Sequence, residues 1–486
     1  NMPNWGITQF AIANIGAIAV PVLPGFCSTE LQNILEHAEV KVIFVSRLLA
    51  KCLEGVKTPF LEHKILINNF STIPEGCYQP EELDKLVPDI SLNNTTPLPE
   101  VPIEEEDIAS IIYTSGTTGF SKGVVLTHKN LVWDARQCHT IQPVDETYRF
   151  LSILPMAHTY ENTLGLLLPL MFGAQVYYLD RVPTPKLLVP AMQKIRPTVV
   201  LSVPLIIEKI YKSQVLPKFT SSKLMSKLYQ FAPARKLFNR LAGKKLMETF
   251  GGELKFFGIG GSKLDGTVEQ FLREAKFPYA IGYGLTETAP MAAGSNPSQT
   301  FLQGVGPVME GVQIKINDPD KSGQGEIWIK GPNVMKGYYK RPELTAETFT
   351  EDGWFKTGDL GSFDKKNRLA IRGRIKTMIL GASGENIYPE EIESIINNFR
   401  FVNESLVVEN SGKLVAMVHF NMEELEKQYQ KLKDQAGNYK EKINDYIEEQ
   451  KQELRDYVNA RVNNFSKLQL VLVQHEPFEK TPTHKI

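Results

Sequence analysis

The chain has 486 residues, enough for more than one folding domain. Its hydrophobic (42%) and charged (22%) contents are those of a globular protein, and a formal net charge of -1 excludes a general pull toward nucleic acid or an anionic membrane. Four scattered cysteines, Cys27, Cys52, Cys77 and Cys138, show neither CxxC pairing nor metal-ligand spacing and fit free thiols in a reducing compartment.

Asn1-Met-Pro-Asn-Trp5 lacks the basic-then-apolar build of a signal peptide, and it reads, like His484-Lys485-Ile486, as an abrupt, trimmed end. Ile12 to Val22 is apolar but too short to span a bilayer. Residues 5 to 47 alternate helix, strand (Ile18 to Pro24), helix (Thr29 to His37) and strand (Val40 to Val45), the pattern of an α/β layer with parallel strands. Residues 70 to 106, rich in Pro, Asn and acid, are expected to wrap the surface.

Next comes Tyr113-Thr-Ser-Gly-Thr-Thr-Gly-Phe-Ser-Lys-Gly123, with three glycines, five Ser/Thr hydroxyls and one lysine between apolar strands Ile108 to Ile112 and Val124 to Leu126. Glycine lets backbone N–H groups point inward, Ser and Thr add donors, and Lys122 adds charge, so a polyphosphate is the natural guest. It is not a Walker A loop, because Ser121 and Gly123 flank the lysine. The plain alternative, a polar hairpin turn, needs far fewer donors.

The α/β alternation resumes with helix Leu131 to His139, strand Phe150 to Pro155, apolar helix Thr163 to Phe172, strand Gln175 to Leu179, helix Pro185 to Ile195 and strand Val199 to Val203. Residues 205 to 250 are basic and amphipathic, as in surface helices. Strand Lys255 to Ile259 runs into Gly260-Gly261-Ser262, followed by helix Lys263 to Glu274 and strand Tyr279 to Tyr283. From about Gly304, short strands between Gly, Pro and Asp (Val312 to Ile316, Gly325 to Lys330, Leu369 to Arg372) suggest a small barrel-like subdomain. Beyond Arg374 a small α+β domain is expected: a short strand, helix Pro389 to Asn397, strands Ser405 to Glu409 and Leu414 to Phe420, a charged helical region broken at Ala436-Gly437, and strand Lys467 to Val473. Ile443, Ile447, Leu454, Val458 and Val462 make one packing stripe at helical spacing.

With the loop, Tyr283-Gly-Leu-Thr-Glu-Thr288, Thr357-Gly-Asp359 and Gly373-Arg-Ile-Lys376 in that order, the sequence resembles the adenylate-forming superfamily of acyl-CoA synthetases, luciferases and peptide-synthetase adenylation domains. The stretch Gly373 to Ile392 and the ending Lys480 to Ile486 are most similar to bacterial long-chain fatty-acid–CoA ligases. The resemblance implies a large N-terminal domain of layered α/β sheets over residues 1–374, expected to be trimmed at its N-terminal end, and a small mobile C-terminal domain over 375–486. It implies ATP-dependent activation of a fatty acid to acyl-AMP with release of pyrophosphate, then transfer to coenzyme A, with Mg²⁺ as metal.

The implied roles follow residue by residue. Thr114, Ser115, Gly116, Thr117, Thr118, Gly119 and Lys122 cradle the β- and γ-phosphates. Glu287, with Thr114, holds Mg²⁺, for which a hard carboxylate oxygen is suited. Thr286 bonds the α-phosphate. Tyr283 lies on adenine, with Gly260, Gly261, Ser262 and Gly284 giving backbone access. Asp359 accepts from the ribose hydroxyls in a turn between short strands, aided by Arg374. Lys485 visits the site only for adenylation and stabilises charge on the pentavalent phosphorus. Lys376 is the hinge, and Thr377 stands where other branches carry Asp. Gly381 and Gly384 would line a pantetheine channel. His158 would gate an acyl tunnel walled by Leu164 to Phe172 and Gly258 to Ser262. By their residues alone, His158 reads more readily as a hydrogen-bonded core residue, and the tunnel walls equally as plain core. Two rivals remain: adenylation of an aryl or medium-chain acid, or transfer to a carrier-protein phosphopantetheine; and a non-catalytic acyl- or nucleotide-binding homologue, against which Lys122, Glu287, Asp359 and Lys485 together speak. A cytoplasmic location is expected, with weak peripheral membrane contact suited to an insoluble substrate, no role for nucleic acid, and the oligomeric state open.

Overall fold

The structure is a computed structural model that describes residues 1–26, 28–88, 100–114, 121–179, 181, 183–220, 222–380, 386–410, 413–426, 439–463 and 466–480. The chain divides into two compact units. The first comprises Asn1–Ile314, Ile329–Lys356 and Lys365–Leu369, and the second Lys315–Trp328, Thr357–Asp364 and Ala370–Ile486.

The first unit is organised around a six-stranded sheet in the order Met291–Gly294, Tyr279–Gly284, Phe256–Ile259, Val199–Ser202, Arg149–Ser152 and Gln175–Tyr178. All neighbours are parallel except the first pair. This is what helix–strand alternation produces, because a parallel partner needs a crossover helix. Helix Gly266–Glu274 is one such crossover. Asp265 caps it, its Oδ1 accepting from the Thr267 and Val268 N–H groups at 2.8 and 3.0 Å.

A separate three-stranded sheet pairs Gly337–Tyr338, Lys122–Thr127 and Ile108–Thr114, all antiparallel. The segment 115–120 therefore connects a hairpin whose last cross-strand pair is Thr114 with Lys122. The loop residues Ser115, Gly116, Thr117, Thr118 and Gly119 lie outside the described residues.

Some expected elements differ. Ile18 to Pro24 is not a strand but a single bridge, Ala19 to Ser110; Pro21 and Pro24 deny a ladder its donors. The helix expected over Thr163 to Phe172 begins earlier, at Thr159–Glu161, widens to a π-helix over Asn162–Leu167 and closes as Leu168–Met171. Pro169 has no N–H to offer the Gly165 carbonyl, so regular α bonding cannot run through this turn. Residues 70 to 88 do not simply coat the surface: Ile73, Tyr78 and Leu83 enter a core with Leu35, Leu53 and Leu66.

In the second unit, Val402–Asn410, Lys413–Phe420 and Leu470–Val473 form a sheet, antiparallel then parallel. Helices Pro389–Asn397 and Tyr439–Asn459 supply Ile392, Ile396, Ile447, Leu454 and Val458 to one core with Val418 and Phe420. The stripe read from the sequence is thus the packing face; the side chain of Ile443 and the break at Ala436-Gly437 fall outside the described residues. The strands expected to make a barrel-like subdomain, joined by Phe355–Phe363, form a four-stranded sheet. Cys52, Cys77 and Cys138 are free thiols.

Candidate active site

Lys122 opens its strand directly opposite Thr114, and Tyr338 lies one strand further, paired with Val124. Glu287 sits in a one-turn 3-10 helix, Thr286–Thr288, just past strand Tyr279–Gly284. That turn is rigidly held. The Thr288 hydroxyl accepts from the Leu285 N–H at 2.9 Å and donates to the Pro290 carbonyl at 2.6 Å. Asn333, fully buried, donates to the Thr288 carbonyl, and the Met335 N–H donates to the Glu287 carbonyl at 2.9 Å.

These elements bring three side chains together. Lys122 Nζ lies 3.1 Å from Glu287 Oε1 and donates to the Tyr338 hydroxyl at 2.6 Å. Tyr338 in turn donates to the same Oε1 at 2.8 Å, and the ammonium sits 4.2 Å from the Tyr338 ring centroid. Glu287 is only 7% exposed, so its charge requires a counter-charge, which Lys122 supplies. Burial, reinforced by the Glu287 carboxylate, raises the Tyr338 pKa and keeps its hydroxyl a donor.

Both bonds to Glu287 fall on one oxygen. Across the ladder from Lys122, the Thr114 hydroxyl is buried with no hydrogen-bond partner. A hard divalent cation fits this donor set: an orphaned hydroxyl and a carboxylate, both oxygen. No cluster of three or more His, Cys, Asp or Glu suited to a metal occurs among the described residues, so such a cation would need water or phosphate for its remaining ligands.

Tyr338 was not among the residues singled out from the sequence. Gly337–Tyr338 is a two-residue strand with no charge signature, and only pairing with Lys122–Thr127 gives it a place. Tyr283 is buried at the end of its strand, paired with Ala293. Gly284 admits no side chain, since a Cβ would stand 1.7 Å from the Pro290 carbonyl oxygen. Gly260 uses its N–H on the Ser202 carbonyl, and Gly261 takes φ +89° with Ser262 exposed beside it.

An apolar cavity lies against the six-stranded sheet. Leu164 and Leu168 wall it on one side, Gly258, Ile259, Ile281 and Gly282 on the other. Those strands run straight into Gly260-Gly261 and Tyr283-Gly284. Tyr160 also lines it. Two buried acids stand on the lining helices beside cavity residues. Burial pushes Glu161 up to about 8, so it is held largely neutral at pH 7, and burial also raises Asp134 well above the ordinary carboxylate range. His158 does not line the cavity; its Nδ1 accepts from the Tyr160 N–H at 3.2 Å and caps Thr159–Glu161.

In the second unit, Asp359 and Arg374 form an ion pair at 2.9 Å, with Asp359 buried and Arg374 half exposed. Asp359 is not in a turn between strands, as expected, but inside Phe355–Phe363. The Thr357 hydroxyl accepts from the Asp359 N–H at 3.0 Å and Gly358 takes φ +71°, so the turn chemistry is folded into the strand. Lys376 is exposed in the turn 375–377 that follows Leu369–Arg374. Gly381, Gly384 and Lys485 lie outside the described residues.

The profile of the AMP-binding enzyme family matches residues 1–339. The chain belongs to this family of adenylate-forming enzymes. Thr114, Lys122, Tyr283, Glu287 and Tyr338 fall inside the matched span, and Asp359 and Arg374 beyond it. Among curated relatives of this AMP-binding enzyme, peroxisomal long chain acyl-CoA synthetase 6 of Arabidopsis thaliana is 30% identical over 86% of this chain and 63% of the relative. Long-chain-fatty-acid–CoA ligase 1 of Cavia porcellus is 30% identical over 81% of this chain and 60% of the relative. FadD15 of Mycobacterium bovis, also named a long-chain-fatty-acid–CoA ligase, is 28% identical over 89% and 74%. The chain thus spans 63% to 64% of the length of the first three relatives it matches. The same fold is found in ATP-bound MatB from Rhodopseudomonas palustris (TM-score 0.73, 21% identity, 100% of this chain and 85% of that one). It is found again in MenE from Bacillus subtilis in complex with ATP and magnesium ion (TM-score 0.72, 21% identity, 100% and 86%).

Proposed function

We propose that this AMP-binding enzyme activates a long-chain fatty acid with ATP, forming acyl-AMP and pyrophosphate, and passes the acyl group to coenzyme A. The observation that carries the reading is the apolar cavity whose floor strands end at the candidate nucleotide residues. A ligand with an apolar tail and an anionic head, lying along those strands, would present its carboxylate beside Gly260-Gly261 and Tyr283-Gly284. The names of the curated relatives point the same way.

Carboxylate attack on a nucleotide brings two anions together, so the site must neutralise charge. We assign Lys122 and the loop Thr114–Gly119 to the β- and γ-phosphates, and Thr286 to the α-phosphate. When polyphosphate arrives, Lys122 exchanges Glu287 for phosphate, and Tyr338 keeps the freed carboxylate oriented. Glu287 and Thr114 are the residues to hold Mg²⁺, which when bound supplies charge neutralisation at the phosphates. Tyr283 is assigned to adenine, and Asp359 with Arg374 to the ribose. Lys485 is assigned to the charge developing at phosphorus. A domain division at 374/375, with Lys376 as hinge, would let the small domain present Lys485 for adenylation and Gly381 and Gly384 to pantetheine for thioester formation; His158 is assigned to the acyl gate. The proposed setting is the cytoplasm with weak peripheral membrane contact. Among the described residues no helix is long and apolar enough to cross a membrane.

The test is ATP–pyrophosphate exchange across acid chain lengths, with and without coenzyme A. Exchange with long-chain acids and thioester formation with coenzyme A are expected; exchange confined to aromatic acids would refute the assignment.

A further inference from the structure

The near-zero net charge of the whole chain conceals one strongly polarised region. Between Leu205 and Phe250 the sequence has ten Lys or Arg against two acidic residues, a net charge of +8. Two successive helices here, Lys223–Gln230 and Ala232–Thr249, expose apolar side chains among those charges.

Each helix is docked by one face and bare on the other. The longer helix packs through Asn239, Gly243 and Leu246, all buried. At Gly243 the fit is so close that a Cβ would stand 2.6 Å from the Ala275 carbonyl oxygen. Its outer face carries Leu237 and Leu241, 58% and 57% exposed. Beside them are exposed Lys236, Arg240 and Lys244. The shorter helix is anchored by Tyr229, which donates to Asn239 Oδ1 at 2.9 Å and stacks on Phe219. Its bare side shows Leu224 and Leu228, and Phe231 at the joint between the helices, a stripe at i, i+4 and i+7.

A stripe at helical spacing is ordinarily the buried face; here it is the exposed one. Exposed apolar side chains grouped on one surface gain free energy when something apolar covers them. A polar face rich in Lys and Arg beside Leu and Phe is the composition of a helix lying in a bilayer interface. No ion pair joins Lys227, Lys236, Arg240 or Lys244 to an acid among the described residues. Their charge is therefore available to anionic headgroups.

We infer that this two-helix face docks on an anionic lipid bilayer, the leucines and Phe231 entering the headgroup–acyl boundary and the basic side chains pairing with lipid phosphates. Charge complementarity favours this occupant over a second copy of the chain, whose matching face would carry the same excess of exposed Lys and Arg. The inference does not depend on the acyl-activation reading.

Vesicle flotation tests it, using the full chain without substrates. Vesicles of phosphatidylcholine alone are compared with vesicles containing phosphatidylglycerol, at low and high salt. Binding should require phosphatidylglycerol and fall with salt. Each basic residue removed should weaken it about fivefold, so Lys236→Gln/Arg240→Gln/Lys244→Gln together should lose about a hundredfold. Leu237→Ser/Leu241→Ser, and separately Leu224→Ser/Leu228→Ser, should each lower binding at least about tenfold. All three variants lie on solvent-facing positions and should keep the wild-type melting temperature. No enrichment on phosphatidylglycerol vesicles overturns the inference, as does wild-type binding by the Gln variant. A wild-type dimer that the leucine changes dissolve, without vesicle binding, would give the face to a second copy instead.

Discussion

Replacing Tyr338 by Phe removes one hydroxyl and leaves the ring under the Lys122 ammonium. The lost atom accepts from Lys122 at 2.6 Å and donates to Glu287 at 2.8 Å. Hydrogen bonds to charged groups contribute about 1.5–3 kcal/mol each in net terms, and here two share one oxygen, so a stability loss of about 2–3 kcal/mol is expected. The functional effect is separable. On the proposed assignment, Lys122 turns to phosphate when nucleotide binds, and Tyr338 would then be the donor that keeps the Glu287 carboxylate aimed. Groups that orient a metal ligand without touching the metal typically change metal affinity by about 10- to 100-fold. In pyrophosphate exchange, Tyr338→Phe should therefore raise the Mg²⁺ concentration for half-maximal rate by at least about tenfold. The rate at saturating Mg²⁺ should change far less. A direct readout is calorimetric titration of Mg²⁺ into enzyme with a non-hydrolysable ATP analogue, where the same weakening should appear. If Tyr338→Phe lowers the melting temperature but leaves both Mg²⁺ titrations within twofold of wild type, the hydroxyl is structural and the assignment fails.

Three further expectations follow from other parts of the molecule. Lys485→Ala should cut adenylate formation by about 10²- to 10³-fold while sparing thioester formation from preformed acyl-AMP; equal loss in single-turnover assays of both steps removes its role. Gly258→Val should shorten the preferred acyl chain, because even a Cβ there lies 2.8 Å from the Tyr160 hydroxyl and the Phe256 ring, and an unchanged chain-length profile would mean that the cavity does not hold the acyl tail. In the second unit, burial raises Glu393 from the ordinary 4.5 to about 7, while its carboxylate accepts from the Val407 N–H at 2.8 Å. A raised carboxyl stabilises the fold below pH 4.5 and loses that contribution as pH climbs to about 7, a difference of about 2–3 kcal/mol. Glu393→Gln keeps the acceptor but not the titration. Hydrogen exchange of strand Val402–Asn410 at pH 5 and pH 8 should therefore show wild type losing protection relative to the variant as pH rises, and a pH-independent difference would contradict this.

Much of the architecture was legible along the chain, because alternating apolar strands and amphipathic helices specify parallel pairing locally. Where proline entered, the reading failed: Pro21 and Pro24 left Ala19 with a single bridge, and the turn before Pro169 widened to a π-helix. Lys122 was legible from the composition of its loop, and Glu287, Asp359 and Arg374 through the ordered motifs that carry the resemblance to adenylate-forming enzymes. Their partners were not. Glu287 and Tyr338 lie 165 and 216 positions from Lys122 in sequence, and no local pattern records a contact over that distance. Nor does a pattern distinguish an apolar wall from ordinary core, which is why Gly258 and Leu164 became cavity lining only once the sheet and helix faced each other. The sequence by itself determined which groups could bind an anion or a hard cation. Tertiary structure decided that Lys122, Tyr338 and Glu287 meet at one oxygen, because burying a carboxylate obliges the fold to bring its counter-charge and donor from wherever in the chain they lie.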